Sequence, residues 1–404
     1  MYRRISLLLV LTVLAAACTS PEAETTTIRE TSTTITTSTT FPPTTTTSVP
    51  PTTTTSIAPF TVEGAPKIEM LLNHFYRYAT GEVADPPRMS EAILAQIKPA
   101  PAKTPRSGVL SFGVFKKQGV ATVQMAEDIF LLVNNGEGWR IVGGKWPSLS
   151  LPAHWGPSPR LIAVVGTDAR PNEEVLATRT DSIHFVGLDG KGHGGIIGIP
   201  RDSWVSIAGG GRSKINNALP WGGPEAMMET FEDLSGLPLE GYVMTGFAGF
   251  EALIGRVLGG LHLKVPYAMR DQAAKADLSA GAQIVDGEQA LAFTRTRKSL
   301  PNGDFDRSEN QGLLMLDVVR NLQRQQGIMQ VPRLLDLAEP FIVTDLGPAQ
   351  LLTFAAQTIA TKKDAISNVV VPGSAGWAGS ASVVYLSDSA SEVFADLADG
   401  RLGN

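Results

Sequence analysis

Arg160-Leu161-Ile162-Ala163-Val164-Val165-Gly166-Thr167-Asp168-Ala169-Arg170 decides the fold. The apolar run 161–165 is shorter than an ordinary helix and reads as a strand buried on both faces. It ends in a small polar turn that carries Asp168 and Arg170. In helix-covered sheets, ligands bind at strand ends and in the connecting loops. Outward from this stretch, strands are predicted at 182–188, 195–199, 242–245, 261–265 and 369–371. Helices are predicted at 224–234, 247–258, 287–293, 306–325, 349–359 and 389–397. Such alternation indicates an α/β domain over residues 160–404, its sheet covered by helices on both faces.

Residues 60–150 read as a small α+β domain. Ile68, Leu71, Leu72, Phe75 and Ala79 recur at helical spacing. A short helix over 90–97 follows, then strands over 109–115, 120–125, 129–133 and 139–142, with Asn134-Asn135-Gly136 as a hairpin turn. The pattern is similar to that of NTF2-like domains. It holds no catalytic constellation and reads as a structural or partner-binding module. Residues 147–159, rich in Pro, Trp and Ser, read as a linker.

The first 18 residues have the form of a secretory signal: Arg3 and Arg4, an apolar run over 5–14, three alanines, then Cys18. The apolar run is shorter than the roughly 20 residues a membrane-spanning helix needs. Cys18 behind small residues resembles the lipobox of bacterial lipoproteins, with Leu14 one place further from the cysteine than usual. Plain cleavage at the alanines is the alternative, and both imply export. Residues 19–59 are almost entirely Thr, Ser and Pro, a composition that cannot be buried and reads as a disordered tether.

With 34 Lys and Arg against 39 Asp and Glu, the net charge is -5, which argues against nucleic acid as a partner. Cys18 is the one cysteine, so there is no intrachain disulfide and no zinc pair. Gly-x-Ser-x-Gly and His-Glu-x-x-His are absent, the histidines lack metal spacing, and 209–214 lacks the phosphate-loop ending. Charged residues are 18% of the chain, so a series of arginines and aspartates stands out. The series is Asp168-Ala169-Arg170, Arg179-Thr180-Asp181, Pro200-Arg201-Asp202, Lys214-Ile215-Asn216, Arg295-Thr296-Arg297 and Asp304-Phe305-Asp306-Arg307, with Gln311 one helical turn later. A guanidinium keeps its proton and presents a planar fork that fits two phosphate oxygens. Aspartates among arginines suit a hard cation such as Mg²⁺. Any one of these residues, taken alone, is better explained by a surface salt bridge; the whole series points to a phosphorylated ligand, a pyrophosphate.

In that order, these motifs, with Gly198-Ile199-Pro200-Arg201-Asp202 and Val285-Asp286-Gly287-Glu288-Gln289-Ala290-Leu291, resemble the LytR-CpsA-Psr family, also called the cell envelope-related transcriptional attenuator domain. The resemblance covers residues 160–404. It implies an α-β-α fold around a central mixed sheet, and a phosphotransferase outside the cytoplasmic membrane. That enzyme would move a glycopolymer from a polyprenyl-pyrophosphate carrier onto peptidoglycan through a phosphodiester bond. Carried over by position, Asp168 and Asp181 would hold Mg²⁺ or another divalent cation. Arg201, Arg295, Arg297 and Arg307 would clamp the pyrophosphate beside Gln311, with Arg179 and Asp304 in support. The prenyl chain would enter an apolar pocket between sheet and helices. The segment 247–261, with Phe250, Leu253, Ile254, Val257, Leu258 and its glycines, could leave room for such a chain, but an ordinary core helix is the stronger reading of it. The partners implied are the lipid-linked glycan, peptidoglycan and, through the N-terminal lipid, the membrane surface. A hydrolase acting on the same lipid and a non-catalytic polyprenyl-phosphate-binding scaffold remain the alternatives. Asp202 and Asp304 are both candidates for the base.

Overall fold

A hydrophobic sheet face needs a helix or a second sheet to cover it, and two sheets here each acquire such a cover. The computed structural model of the protein describes residues 61–62, 65–298 and 300–403. The expected signal segment, Cys18 and the tether over 19–59 lie outside the described residues. No helix among those described is long and apolar enough to cross a membrane.

The first sheet runs in sequence order: β1 (Thr61–Val62), β2 (Ser107–Phe115), β3 (Gln118–Met125), β4 (Asp128–Asn134), β5 (Trp139–Trp146) and β6 (Leu151–His154). Helix α1 (Pro66–Ala79) lays Ile68, Leu72, Phe75 and Tyr76 against Val123, Phe130, Leu132 and Trp146, with α2 (Glu91–Leu94) beside them. The stretch 147–159, expected as a linker, supplies β6 and so extends this sheet.

The chain continues through β7 (Arg160–Thr167), β8 (Thr180–Leu188), β9 (Gly194–Gly198), a hairpin of β10 (Trp204–Ser206) with β11 (Arg212–Lys214), α3 (Ala218–Ser235), β12 (Tyr242–Thr245) and α4 (Phe247–Ala252). Next come β13 (Leu261–Val265), β14 (Met269–Asp271), β15 (Ala276–Leu278) and β16 (Gly281–Val285), where β13 pairs with β16 and β14 with β15. Helices α5 (Gly287–Arg295), α6 (Asp304–Asn321) and α7 (Val331–Ala338) precede β17 (Val343–Thr344), α8 (Pro348–Ala360) and β18 (Ile366–Val370). A hairpin of β19 (Gly373–Ala378) and β20 (Ala381–Leu386) and helix α9 (Ala390–Leu397) close the chain.

The second sheet has the order β17-β12-β7-β8-β9-β18. It is mixed: β7, β8 and β9 are antiparallel neighbours, β12 runs parallel to β7, and β18 runs parallel to β9. Its alternating residues serve two different faces. Ala163, Phe185, Ile197 and Met244 pack under Phe231 of α3 and Phe394 of α9. Val164, Val186, Ile196 and Val243 point the other way, toward α6, α7 and α8. These are the expected α-β-α layers.

The two sheets share a core. Phe115, Val120, Leu131 and Val133 of the first cluster with Val331 and Leu335 of α7 and Leu352 and Phe354 of α8. The side-chain amine of Lys116 donates to the carbonyls of Thr344 (2.7 Å) and Leu346 (3.0 Å). Arg160, fully buried, ties the second sheet to its helices. Its guanidinium donates to both oxygens of Glu240 (2.8 and 2.6 Å), to Thr353 Oγ1 (2.9 Å) and to the Gln350 carbonyl (3.1 Å). Removing one partner of such a pair strands a buried charge. Glu240→Ala is therefore expected to lower the unfolding free energy by about 3 kcal/mol in chemical denaturation; a loss under about 1 kcal/mol would mean that the Arg160 charge is solvated some other way.

Candidate active site

Four separate parts of the chain bring charge to one end of the second sheet. Asp181 enters at the start of β8 and Arg201 in the loop after β9. Arg295 ends α5 and Arg297 follows it, while Asp304, Arg307 and Gln311 occupy the first turns of α6. Local chemistry sets these positions. Asp286 caps α5, its carboxylate accepting from the Gln289 N–H (2.9 Å) while Gln289 Oε1 accepts from the Asp286 N–H (3.1 Å). Gly303, at φ 56°, makes the left-handed entry to α6. Asp271, which no sequence pattern singled out, is buried; its carboxylate accepts from the backbone N–H groups of Arg297 (3.0 Å) and Lys298 (3.1 Å).

The side chains form an alternating array of charge. Asp181 pairs with Arg201. Asp304 Oδ1 accepts a hydrogen bond from Arg297 at 2.7 Å and forms an ion pair with Arg307, also at 2.7 Å. Asp202 holds Lys214 at 3.2 Å and lies 4.0 Å from both Arg201 and Arg297. Burial works against the charge on Arg201, but Asp181, Asp202 and Asp304 keep its guanidinium firmly protonated. Burial likewise works against the Asp304 carboxylate, and Arg307, Arg297 and Arg201 outweigh it, holding it below the usual carboxylate range. Arg307 is the most buried of the arginines at this site. Desolvation, with repulsion from Arg201 and Arg297, pushes it down to about 10 despite Asp304. Arg201 Nε, Arg307 Nε and Asp304 Oδ2 are buried without a hydrogen-bond partner among the described residues. Unsatisfied donors of this kind are costly and mark a place where another group belongs.

These groups sit at the polar end of a cavity of about 680 Å³. Asp181, Arg201, Arg295, Arg297, Arg307 and Gln311 line it, as the sequence series anticipated. The guanidinium of Arg295 lies 4.5 Å from the ring centre of Phe247, and Gln311 Nε2 donates to the Thr294 carbonyl (3.2 Å). The rest of the wall is apolar. Val164, Val186, Ile196 and Val243 come from the sheet, Leu314, Met315, Val318 and Leu322 from α6 and the turn after it. The segment expected as one helix over 247–258 is α4 followed by a wider turn over Leu253–Val257, and it lines the cavity through Phe250, Leu253, Ile254, Val257 and Leu258.

Asp168, Arg179 and Asp304 are not among the lining residues. Asp304 acts from behind, through Arg297 and Arg307. Asp168 and Arg179 face each other across the strand ends: Asp168 Oδ1 accepts from the Arg179 N–H at 3.0 Å, and the Arg179 side chain is exposed. The described residues contain no cluster of three or more metal-ligating side chains. Mg²⁺ needs less, since one or two carboxylates suffice when phosphate oxygens and water complete its shell. Asp168 lies just beyond the Thr167–Thr180 pair on one strand, and Asp181 follows Thr180 on the next. Oδ1 of each has a partner, while Oδ2 of each accepts no hydrogen bond among the described residues. Those oxygens are ligands of the kind Mg²⁺ takes, but of the two carboxylates only Asp181 lines the cavity.

His184, one of the histidines that lack metal spacing, is fully buried on the cavity side of β8. Nε2 donates to the Ser308 carbonyl (3.1 Å) and Nδ1 accepts from Ser182 Oγ (3.2 Å), the ring being neutral with its proton on Nε2. It thereby links the strand of Asp181 to the first turns of α6.

A family model described as the LytR_cpsA_psr family matches residues 154–399. The chain is 33% identical over 165 residues to the probable cell wall biosynthesis protein LcpB of Corynebacterium glutamicum, covering 41% of this chain and 38% of that one. It is 30% identical over 177 residues to the polyisoprenyl-teichoic acid–peptidoglycan teichoic acid transferase TagV of Bacillus subtilis, covering 42% of this chain and 45% of that one. The chain thus spans less than half the length of these two relatives. The crystal structure of B. subtilis TagV superposes with a TM-score of 0.51 at 26% identity, over 59% of this chain and 94% of that one. A structure of TagT bound to LI-WTA has the same fold, with a TM-score of 0.50 at 21% identity over 62% and 93%.

The burial of His184 has a consequence in acid. Desolvation lowers its pKa to about 4, the Ser308 carbonyl opposing and Arg307 adding to the shift. Between pH 6.5 and 4 the unfolded chain binds this proton and the folded chain does not, so stability falls as pH falls. The wild type is expected to lose about 3 kcal/mol more across that window than His184→Asn. Equal acid limbs in denaturant titrations would show that His184 is solvated or already charged.

Proposed function

The chain belongs to the LytR_cpsA_psr family, and from that premise we propose that it transfers a glycopolymer from a polyprenyl-pyrophosphate carrier to peptidoglycan through a phosphodiester bond. One observation carries this reading: buried guanidinium groups with unpartnered donors stand at the end of a long apolar cavity. The ligand that satisfies both halves has a diphosphate head and a hydrocarbon tail. The name of TagV, a polyisoprenyl-teichoic acid–peptidoglycan teichoic acid transferase, agrees with that chemistry.

In this reading Arg201, Arg295, Arg297 and Arg307 bind the diphosphate oxygens, and Asp304 holds two of them in place before the ligand arrives. Phosphoryl transfer asks the protein mainly for position and charge neutralisation. The acceptor hydroxyl oxygen forms a bond to the glycan-side phosphorus. The bond from that phosphorus to the bridging oxygen breaks, and polyprenyl phosphate leaves. Asp202, which pairs with Lys214, is the candidate to take the acceptor proton, because the arginines around Asp304 hold that carboxyl below the usual carboxylate range. Asp168 and Asp181 would hold Mg²⁺, which would neutralise diphosphate charge. The work would take place outside the cytoplasmic membrane, with Cys18 carrying the lipid anchor.

The test is incubation of the protein with a lipid-linked glycan, peptidoglycan fragments and Mg²⁺, with the joined product read by mass. Free glycan phosphate without coupling would favour a hydrolase, and binding without turnover a scaffold. Arg297→Ala is expected to lower turnover about a hundredfold, from the loss of charge-assisted contacts of about 1.5–3 kcal/mol each. The thermal midpoint should stay nearly unchanged, since the Arg297 side chain is 40% exposed. A large drop in that midpoint would instead assign Arg297 to a structural ion pair.

A further inference from the structure

We propose that the N-terminal sheet is part of the donor site: it fixes the far wall of the cavity and so selects for long prenyl chains. This rests on the prenyl-lipid reading above. From Arg307 at the polar end to Leu322 the cavity follows α6 and the turn after it, a helical rise of about 22 Å. Gln323 Nε2 donates to the Thr361 carbonyl (3.0 Å), which sets the end of α8 beside the remote end of α6. There the wall is completed by Val331 and Leu335 of α7 and Phe354 of α8.

Those three side chains are backed by Phe115, Val120, Leu131 and Val133 of the N-terminal sheet. Helix α7 has eight residues, too few to hold a position without tertiary contacts. The sheet fastens it along its length. Thr122 Oγ1 donates to the Met329 carbonyl just before it (3.1 Å), and the Lys116 N–H donates to Glu339 Oε1 just after it (2.9 Å). Between these points Gly113 lies so close to the Pro332 carbonyl that any side chain there would overlap it. The family match begins at residue 154, so the residues that hold this wall lie outside it. Hydrophobic gain scales with apolar area removed from water. A short prenyl chain is held by the arginines and the near wall, and only a longer one gains from the far wall.

The experiment measures binding of geranyl, farnesyl and geranylgeranyl diphosphate to the full chain by calorimetry. Phe115→Ala and, as a milder change, Thr122→Val are compared with the wild type, thermal melts confirming that each is folded. The wild type should bind tighter as the chain lengthens. The variants should keep the geranyl affinity and weaken geranylgeranyl binding about tenfold. Equal weakening at every length, unchanged binding at every length, or no length preference in the wild type would each overturn the inference alone. Failure of the wild type to bind any of the three would overturn the donor reading, and this inference with it.

Discussion

Three guanidinium groups share one partly buried end of a cavity, and three carboxylates, Asp181, Asp202 and Asp304, make that arrangement tolerable. Without them, like charges drawn out of water would repel and move apart. With them, the arginines are positioned before any ligand arrives, and their side chains line the cavity. Arg307 shows the tension most clearly. Its folded environment lowers its proton affinity to about 10 even with Asp304 at 2.7 Å. A doubly charged head group would add the missing negative charge and relieve the repulsion.

The second sheet provides the geometry for this. One face is filled: Phe185, Phe231 and Phe394 interlock there, with ring centres 5.5 and 6.2 Å apart. The other presents smaller branched side chains, Val164, Val186, Ile196 and Val243, to helices that stand away from it. The same strands thus supply a rigid core on one side and a lined space on the other. Because the arginines come from the loop after β9, the end of α5 and the start of α6, the site depends on the whole layer arrangement. The N-terminal sheet joins that arrangement through α7 and α8.

Much of this was legible in the sequence because it is local. The strands over 242–245 and 261–265 and the helix over 349–359 follow from apolar periodicity and punctuation, and the structure has them within a residue or so. The arginine series was legible because salt bridges explain its members singly but not all of them in that order. The short hairpins β10–β11 and β19–β20 were not, since strands of three to six residues carry little periodic signal. Helix α7 was missed for a different reason: its eight residues are amphipathic but short, and its position is dictated by β2 and β3, more than two hundred residues earlier. Asp271 and His184 act through backbone groups far away in the chain, which no spacing rule reveals. Asp168 stands at a strand end as expected, yet its carboxylate turns to the Arg179 backbone rather than into the cavity.

The most direct measurement is a crystal structure of the protein with a prenyl diphosphate bound. The account predicts phosphate oxygens within hydrogen-bond distance of Arg201, Arg297 and Arg307, and the hydrocarbon chain lying along α6 from Leu314 toward Leu322. A diphosphate bound elsewhere, with these arginines still satisfied by their aspartates and the cavity without lipid, would contradict it.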